Sequence, residues 1–374
     1  MSEDTLGLGV IGFGGFGLYA AQHYMQIPGI KLVGMAGTHR EAAYAAAQRF
    51  GIPDPMEIEQ LVARDDVDIV YIATPPFLHH RQAMAALNAG KHVLCEKPLA
   101  MNLAEADEMI GLAKQKNLLM ATNLMQRYNP LFEMTKRLID SKALGETLHG
   151  FFENYATDEG LGPDHWFWDR EKSGGIFIEH GVHFFDVFGG WLGKGEVVAA
   201  QAVKRPGTVD LEDQVNCTVK YGEDKLVNFY HGFTQVSRMD RQEWRLLFEL
   251  GDITLHEWVP TRVCVRAVGD ERSTREVMEI FRGARLDITA NYGGKDRAAR
   301  GRHKNVDIYQ MFDVTYGEGH AKMHRYGELL RDLFKDQVAW IRDRSHVRHL
   351  TEENGRDSLA AAVRAVELAH RAGE

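Results

Sequence analysis

Gly12-Phe13-Gly14-Gly15-Phe16-Gly17 decides the fold of the first part of this chain. An apolar run of strand length, Leu6 to Ile11, precedes it. A helical pattern through Tyr19, Ala20, Ala21 and Tyr24 follows it. Glycines spaced in this way, between a strand and a helix, suit a diphosphate. The first permits a tight turn, the second lets the backbone approach the phosphates, and the third lets helix and strand pack closely. The phosphates then lie at the helix N-terminus, where backbone N–H groups converge. Gly12, Phe13, Gly14, Gly15, Phe16 and Gly17 are therefore expected to bind a dinucleotide.

Working outward, strands and helices keep alternating. Strands are read at Lys31 to Ala36, Val67 to Ala73, His92 to Cys95 and Leu118 to Thr122. Helices are read at Glu41 to Phe50, His79 to Ala89 and Leu103 to Lys116. Alternation of this kind means a parallel sheet covered by helices. After Asn129-Pro130 the pattern changes. One helix, Leu131 to Ile139, leads into a glycine- and aromatic-rich stretch. Successive strands follow: Val197–Lys204, Gln214–Tyr221, Lys225–Phe233, Glu243–Leu250, Asp252–Trp258 and Arg262–Val268. Their alternation suits an antiparallel sheet with one buried face, and Gly251-Asp252 reads as a hairpin turn. Residues 293–304 read as a long polar loop, and helices return at Lys322 to Asp343 and Gly355 to Ala372. The expected fold is α/β: an N-terminal Rossmann doubly wound parallel sheet (1–125), then an α+β domain (126–374) with an open, mainly antiparallel sheet. The second domain is expected to bind substrate and support oligomerisation, its last helix packing back on the first.

The 374 residues suit about two domains. The formal charge of −9 disfavours binding to nucleic acid or an anionic membrane. Three scattered cysteines, Cys95, Cys217 and Cys264, include no CxxC pair, which argues against a disulfide framework or structural zinc. The acidic start, Met1-Ser2-Glu3-Asp4, is unlike a secretory signal, and no apolar run is long enough to span a bilayer. A cytoplasmic location is expected.

The ribose position bears on the cofactor. An acidic residue about 20 positions past the motif would hold a ribose 2′-hydroxyl. Counting from Gly17, that place is Gly37, which begins Gly37-Thr38-His39-Arg40. No carboxylate there repels a 2′-phosphate, and Thr38, His39 and Arg40 offer it partners. NADP is favoured, with NAD the alternative.

Two further motifs follow: Ala73-Thr74-Pro75-Pro76-Phe77-Leu78-His79 and Gly90-Lys91-His92-Val93-Leu94-Cys95-Glu96-Lys97-Pro98. Here the chain resembles the glucose–fructose oxidoreductase/inositol dehydrogenase/rhizopine-catabolism family (Gfo/Idh/MocA). Members of that family show a Thr-Pro turn ending in histidine, then Glu-Lys-Pro, at this spacing. The resemblance runs through Arg127-Tyr128-Asn129-Pro130 and Gly174-Gly175 to about Asp186. It implies an NAD(P)-dependent enzyme in which Lys97 lies near the nicotinamide and Glu96 supports the cofactor. Ala73, Thr74, Pro75 and His79 join the expected cofactor-binding set. Read on its own, Lys97 lies just past a strand's C-terminal end, where ligands bind in open parallel sheets. A lysine there can stabilise an alkoxide or pass a proton.

Between Gly174 and Asp186, Glu179 and His183 stand four apart and share a face if the segment is an α-helix, with Asp186 three residues further on. A histidine beside carboxylates is a plausible acid/base group. The resemblance implies a catalytic set of Lys97, Glu179 and His183, Glu179 positioning His183. Many members have aspartate where Glu179 stands, and the longer arm leaves its role open. The HExxH order is absent, so no metal site is expected. Tyr155, Trp166 and Trp168 are aromatic candidates for stacking on a sugar. With Arg127, His180 and His183 they form the expected substrate-binding set.

Lys295, Arg297, Arg300, Arg302, His303 and Lys304 crowd one segment, just after Arg282 and Arg285. A solvated loop or subunit contact is the simpler reading, and a clamp for an anionic substrate the alternative. The expected activity is hydride transfer between nicotinamide and a CH–OH group of a sugar, cyclitol or sugar derivative. The alternative is a redox-assisted glycoside hydrolase with bound, recycled nicotinamide. A small-molecule substrate and a homo-oligomer, dimer or tetramer, are the expected partners.

Overall fold

The computed structural model describes residues 5–12, 14–37, 40–158, 160–208, 211–302, 304–317 and 321–371. The chain begins with β1 (Leu6–Ile11), α1 (Gly15–Tyr24), β2 (Ile30–Ala36), α2 (Arg40–Phe50), α3 (Ile58–Val62), β3 (Ile69–Ile72), α4 (His79–Asn88), β4 (His92–Cys95), α5 (Leu103–Lys116) and β5 (Met120–Thr122). These strands form a parallel sheet in the order β2-β1-β3-β4-β5. Helices cover parallel sheets on both faces, so their strands are apolar throughout. All four residues of Ile69-Val70-Tyr71-Ile72 are accordingly buried. Local signals set the helix ends. The Asn102 side chain accepts from the Glu105 N–H at the start of α5, and left-handed Asn117 ends it.

The rest comprises α6 (Pro130–Ser141), β6 (Thr147–Tyr155), α7 (Arg170–Ser173), α8 (Val182–Leu192), β7 (Gly195–Lys204), β8 (Glu212–Tyr221), β9 (Lys225–Gly232), β10 (Arg241–Phe248), β11 (Gly251–His256), β12 (Arg262–Gly269), α9 (Glu271–Ile280), β13 (Arg285–Asn291), β14 (Ala298–Arg300), β15 (Asn305–Asp307), β16 (Gln310–Gly317), α10 (Lys322–Arg342) and α11 (Glu352–Arg371). Among the described residues a mixed sheet runs β13-β16-β12-β11-β10-β6-β9-β8-β7. Its pairs are antiparallel except β6 with β9. Alternate residues of β8 and β12 are buried, and Phe152, Phe188, Trp191, Phe229 and Trp244 form an aromatic core.

The chain divides into two compact units. One holds Met1–Tyr128, Pro163–Asp186 and Tyr326–Val366; the other holds Asn129–Gly162, Val187–Arg325 and Glu367–Glu374. In the first, Gly355 of α11 lies against Thr122 at the end of β5. A Cβ there would come within 2.2 Å of the threonine hydroxyl.

Two local readings need correction. The β10–β11 turn is Glu249-Leu250, because Phe248 already pairs with Gly251 and Leu247 with Asp252. Cross-strand pairing outweighs the turn preference of Gly-Asp. Residues 293–304 are not a plain loop. A 3-10 turn, Gly294–Arg297, leads into β14, which pairs with β15. Charge hides this hairpin from a hydrophobic-pattern reading.

Candidate active site

The glycine turn leaves the C-terminal end of β1, and its geometry separates the three glycine roles. Gly12 has φ +105, and a Cβ on it would meet the Ala73 carbonyl oxygen at 2.5 Å. A Cβ on Gly17 would meet the Gly12 carbonyl oxygen at 2.5 Å. A Cβ on Gly14 or Gly15 would meet nothing within 4 Å. Gly14 stands at the N-cap of α1, with no side-chain cap and no acidic residue in the first helical turn. An open, uncapped helix start of this kind fits a dinucleotide's diphosphate. Phe16 packs its ring on Tyr326, centroids 5.6 Å apart. Phe13, Thr38 and His39 lie outside the described residues, and Arg40 is described only as the first residue of α2.

The next turn leaves β3. The Ala73 N–H donates to the Ile11 carbonyl at 2.8 Å, which brings Ala73-Thr74-Pro75 beside the glycine turn. The Thr74 hydroxyl donates to the Gln82 side chain at 2.6 Å. His79 is wholly buried, its Nδ1 2.7 Å from the Pro98 carbonyl oxygen and its Nε2 2.8 Å from that of Thr74. The ring is enclosed by protein, with each nitrogen facing a backbone carbonyl. A Thr-Pro turn ending in histidine does not disclose that the ring faces inward.

Glu96 directly follows β4 with its carboxylate buried. It accepts from the Tyr71 hydroxyl at 2.5 Å and the Asn123 amide at 2.6 Å. Burial raises its pKa, and the Asn123 and Tyr71 bonds and the Lys97 charge oppose that rise. Lys97 follows, and the Lys97–Pro98 peptide is cis. Lys97 Nζ donates to the Glu179 carbonyl at 2.7 Å and to its carboxylate at 2.6 Å. An ammonium has three hydrogens, so this geometry leaves one for a substrate oxygen.

Glu179 lies in a π turn, Phe177–Gly181, that runs into α8. Such turns insert a residue into helical winding and are frequent at functional sites. The expected i, i+4 face is thus not that of a regular α-helix. The Glu179 carboxylate is engaged with Lys97 through one oxygen. His183 is buried near the start of α8, and burial first, then the charge of Lys97, takes its pKa well below the ordinary histidine value. Its imidazole is therefore neutral at pH 7 and able to accept a proton.

Asp186 lies further along α8. Buried to 4% exposure, it accepts from Nε and Nη2 of Arg127 at 2.8 and 2.9 Å, and from the Asn354 amide at 3.4 Å. Arg127 thus gives Nε and Nη2 to a carboxylate of the protein. Trp168 is buried at 6% exposure with its ring edge on Phe167, so it is a core residue. Trp166 and His180 are half-buried, His180 beside the Phe184 ring. Tyr155, in the other unit, lies beneath Arg241 and beside Tyr230. Sequence reasoning missed Tyr71 and Asn123, whose signal (a polar residue within or just past a buried strand) is weak. In the basic segment, Lys304 pairs with Glu249 at 2.9 Å and Arg297 lies over the Tyr309 ring.

The model of an oxidoreductase family with an NAD-binding Rossmann fold matches residues 6–124, and that of the Gfo/Idh/MocA C-terminal domain matches residues 132–254. The chain belongs to the Gfo/Idh/MocA oxidoreductase family. It is 32% identical over 212 residues to a 1,5-anhydro-D-fructose reductase of Ensifer adhaerens, covering 55% of this chain and 63% of that protein. It is 29% identical over 187 residues to a scyllo-inositol 2-dehydrogenase (NAD(+)) of Bacillus subtilis (strain 168), covering 50% and 53% respectively. The chain thus spans between about half and under two thirds of the length of these relatives. A levoglucosan dehydrogenase, in complex with NADH and L-sorbose, has the same fold. The TM-score is 0.75 at 21% identity, over 98% of this chain and 97% of that one. Among the described residues no helix is long and apolar enough to cross a membrane.

Proposed function

We propose that this protein transfers a hydride between a CH–OH carbon of a sugar, cyclitol or related polyol and a nicotinamide dinucleotide. The observation that carries the reading is Lys97 Nζ, pinned by Glu179 beyond the C-terminal end of β4 and close enough to His183 to depress its pKa. In the oxidative direction neutral His183 takes the hydroxyl proton. Lys97 turns its remaining N–H to the oxygen and stabilises its developing charge. Glu179 aims Lys97. In reduction the roles reverse. The bound cofactor supplies the hydride acceptor or donor. Gly12 to Gly17, Ala73-Thr74-Pro75 and Glu96 line its place, and Thr38, His39 and Arg40 favour NADP over NAD. His180 and Trp166 are offered to the substrate.

The named relatives, a reductase of an anhydro-sugar and a dehydrogenase of an inositol, support the substrate class. In this reading residues 1–125 bind the dinucleotide and 126–374 complete the substrate site. A homo-oligomer forms through the large sheet, where Val203, Leu226 and Ile288 are exposed, and the enzyme works in the cytoplasm. The test is a screen of sugars, sugar acids, cyclitols and glycosides with NAD and NADP separately, following absorbance and product. One reduced cofactor per oxidised product supports the dehydrogenase. Glycoside cleavage without net reduction replaces it with the redox-assisted hydrolase.

A further inference from the structure

His79 opens α4 immediately after the turn that leaves β3. Its ring lies between two backbone carbonyls, those of Thr74 and Pro98, at 2.8 and 2.7 Å. They belong to different turns, one beyond β3 and the other beyond β4. The second turn carries Lys97. A carbonyl oxygen only accepts, so each contact is a bond only where the facing nitrogen bears hydrogen. Neutral imidazole has one such nitrogen and the imidazolium two. Gln82, on the next turn of α4, takes the Thr74 hydroxyl at 2.6 Å, so the helix start holds Thr74 at two points.

We propose that His79 is a positioning residue, whose ring, lodged between the Thr74 and Pro98 carbonyls, ties the Thr74 turn to the Lys97–Pro98 turn and so sets the direction in which Lys97 projects. This rests on the reading of Lys97 given above. Two charged groups face the ring: Lys97 from the link after β4 and Glu179 from the π turn. Burial leads in lowering its pKa. The Pro98 and Thr74 carbonyls and Glu179 oppose that, and Lys97 adds to it. The bridge is complete on the acid side of that lowered value and keeps one bond on the alkaline side.

Two measurements on the full chain test this. Histidine-selective 15N labelling counts ring protons, with the His79 signals identified by their loss in His79→Gln. At neutral pH one ring N–H is expected to be held in its carbonyl bond and slow to exchange with water, and the second nitrogen gains its proton only as pH falls through the lowered value. A ring N–H that exchanges freely with water at neutral pH, bonded to neither carbonyl, overturns the bridge. This measurement needs no turnover, so it stands or falls apart from the role of Lys97. In the second, His79→Gln is expected to lower kcat roughly 10- to 100-fold, the scale of a misplacement of about 1 Å. The cofactor dissociation constant should stay within about threefold. An unchanged kcat, or a dissociation constant rising as far as kcat falls, overturns the positioning role. Lys97→Ala in the same assay reads Lys97 by itself, and His79→Asn replaces the glutamine variant in both measurements if that variant fails to fold.

Discussion

Lys97 gives two of its three ammonium hydrogens to one residue, Glu179, one to the backbone carbonyl and one to the carboxylate. The two bonds make different predictions for substitution. Glu179→Gln removes the charge and leaves the carbonyl bond, so Lys97 stays roughly in place. Turnover should fall about tenfold with cofactor affinity held. Lys97→Ala removes the group itself and should cost about 100-fold or more in kcat, the usual worth of a proton-handling side chain. Steady-state kinetics beside direct cofactor titration separates the two. Near-normal turnover in Lys97→Ala, measured with the true substrate, would falsify its catalytic role.

Substitutions in the glycine turn should divide into two kinds. Gly17→Ala forces a methyl to within 2.5 Å of the Gly12 carbonyl and should lower the melting temperature. Gly14→Ala places its methyl in open space, at a φ of −55 that alanine accepts. It should fold normally yet lose at least about tenfold in cofactor affinity, because the methyl stands where the diphosphate approaches. Wild-type affinity in a folded Gly14→Ala protein would place the diphosphate elsewhere.

Buried histidines should make the fold sensitive to acid. Burial takes His231 down to about 3, and burial with the Lys97 charge takes His183 well below its ordinary value. In the unfolded chain both titrate near 6.5. Between the folded and unfolded values the unfolded chain binds more protons. These groups therefore favour the fold fully above about pH 6.5 and progressively less as pH falls toward the folded values. The urea midpoint should drop between about pH 7 and pH 4.5, and less steeply in His231→Phe. Equal slopes in the two proteins would remove His231 from the account.

The NADP preference proposed above is tested at Arg40. Arg40→Ala should raise KM for NADP about tenfold and leave KM for NAD nearly unchanged, since only NADP carries the 2′-phosphate that a guanidinium binds. Equal changes for both cofactors would mean that Arg40 does not discriminate.

The parallel sheet was legible because its strands are short apolar runs punctuated by glycine and by Thr-Pro. The β8 and β12 alternation was legible for the same reason. β6, β13 and β16 were not. Their charged and aromatic residues, Glu153, Arg285 and Asp313 among them, mask the period. In the candidate site the residue types were readable but their pairings were not. Glu179 faces Lys97 from 82 positions away, and Arg127 reaches Asp186 from 59. No local pattern encodes which carboxylate meets which cation. The π turn at Phe177–Gly181 hid the direction of Glu179, because one inserted residue shifts everything that follows it around the helix.

The placement of Gly355 against Thr122 bears on how the chain reaches its native state. The first unit takes its last contributions from Tyr326–Val366, after Val187–Arg325 have gone to the other unit. During synthesis, at roughly 5–20 residues per second, the parallel sheet and its glycine turn emerge long before α11 exists to cover Thr122. For on the order of ten seconds or more at those rates, the nascent sheet stands with that end uncapped. Chaperone occupancy on ribosome-bound chains should therefore peak before α11 leaves the exit tunnel, and fall once it has.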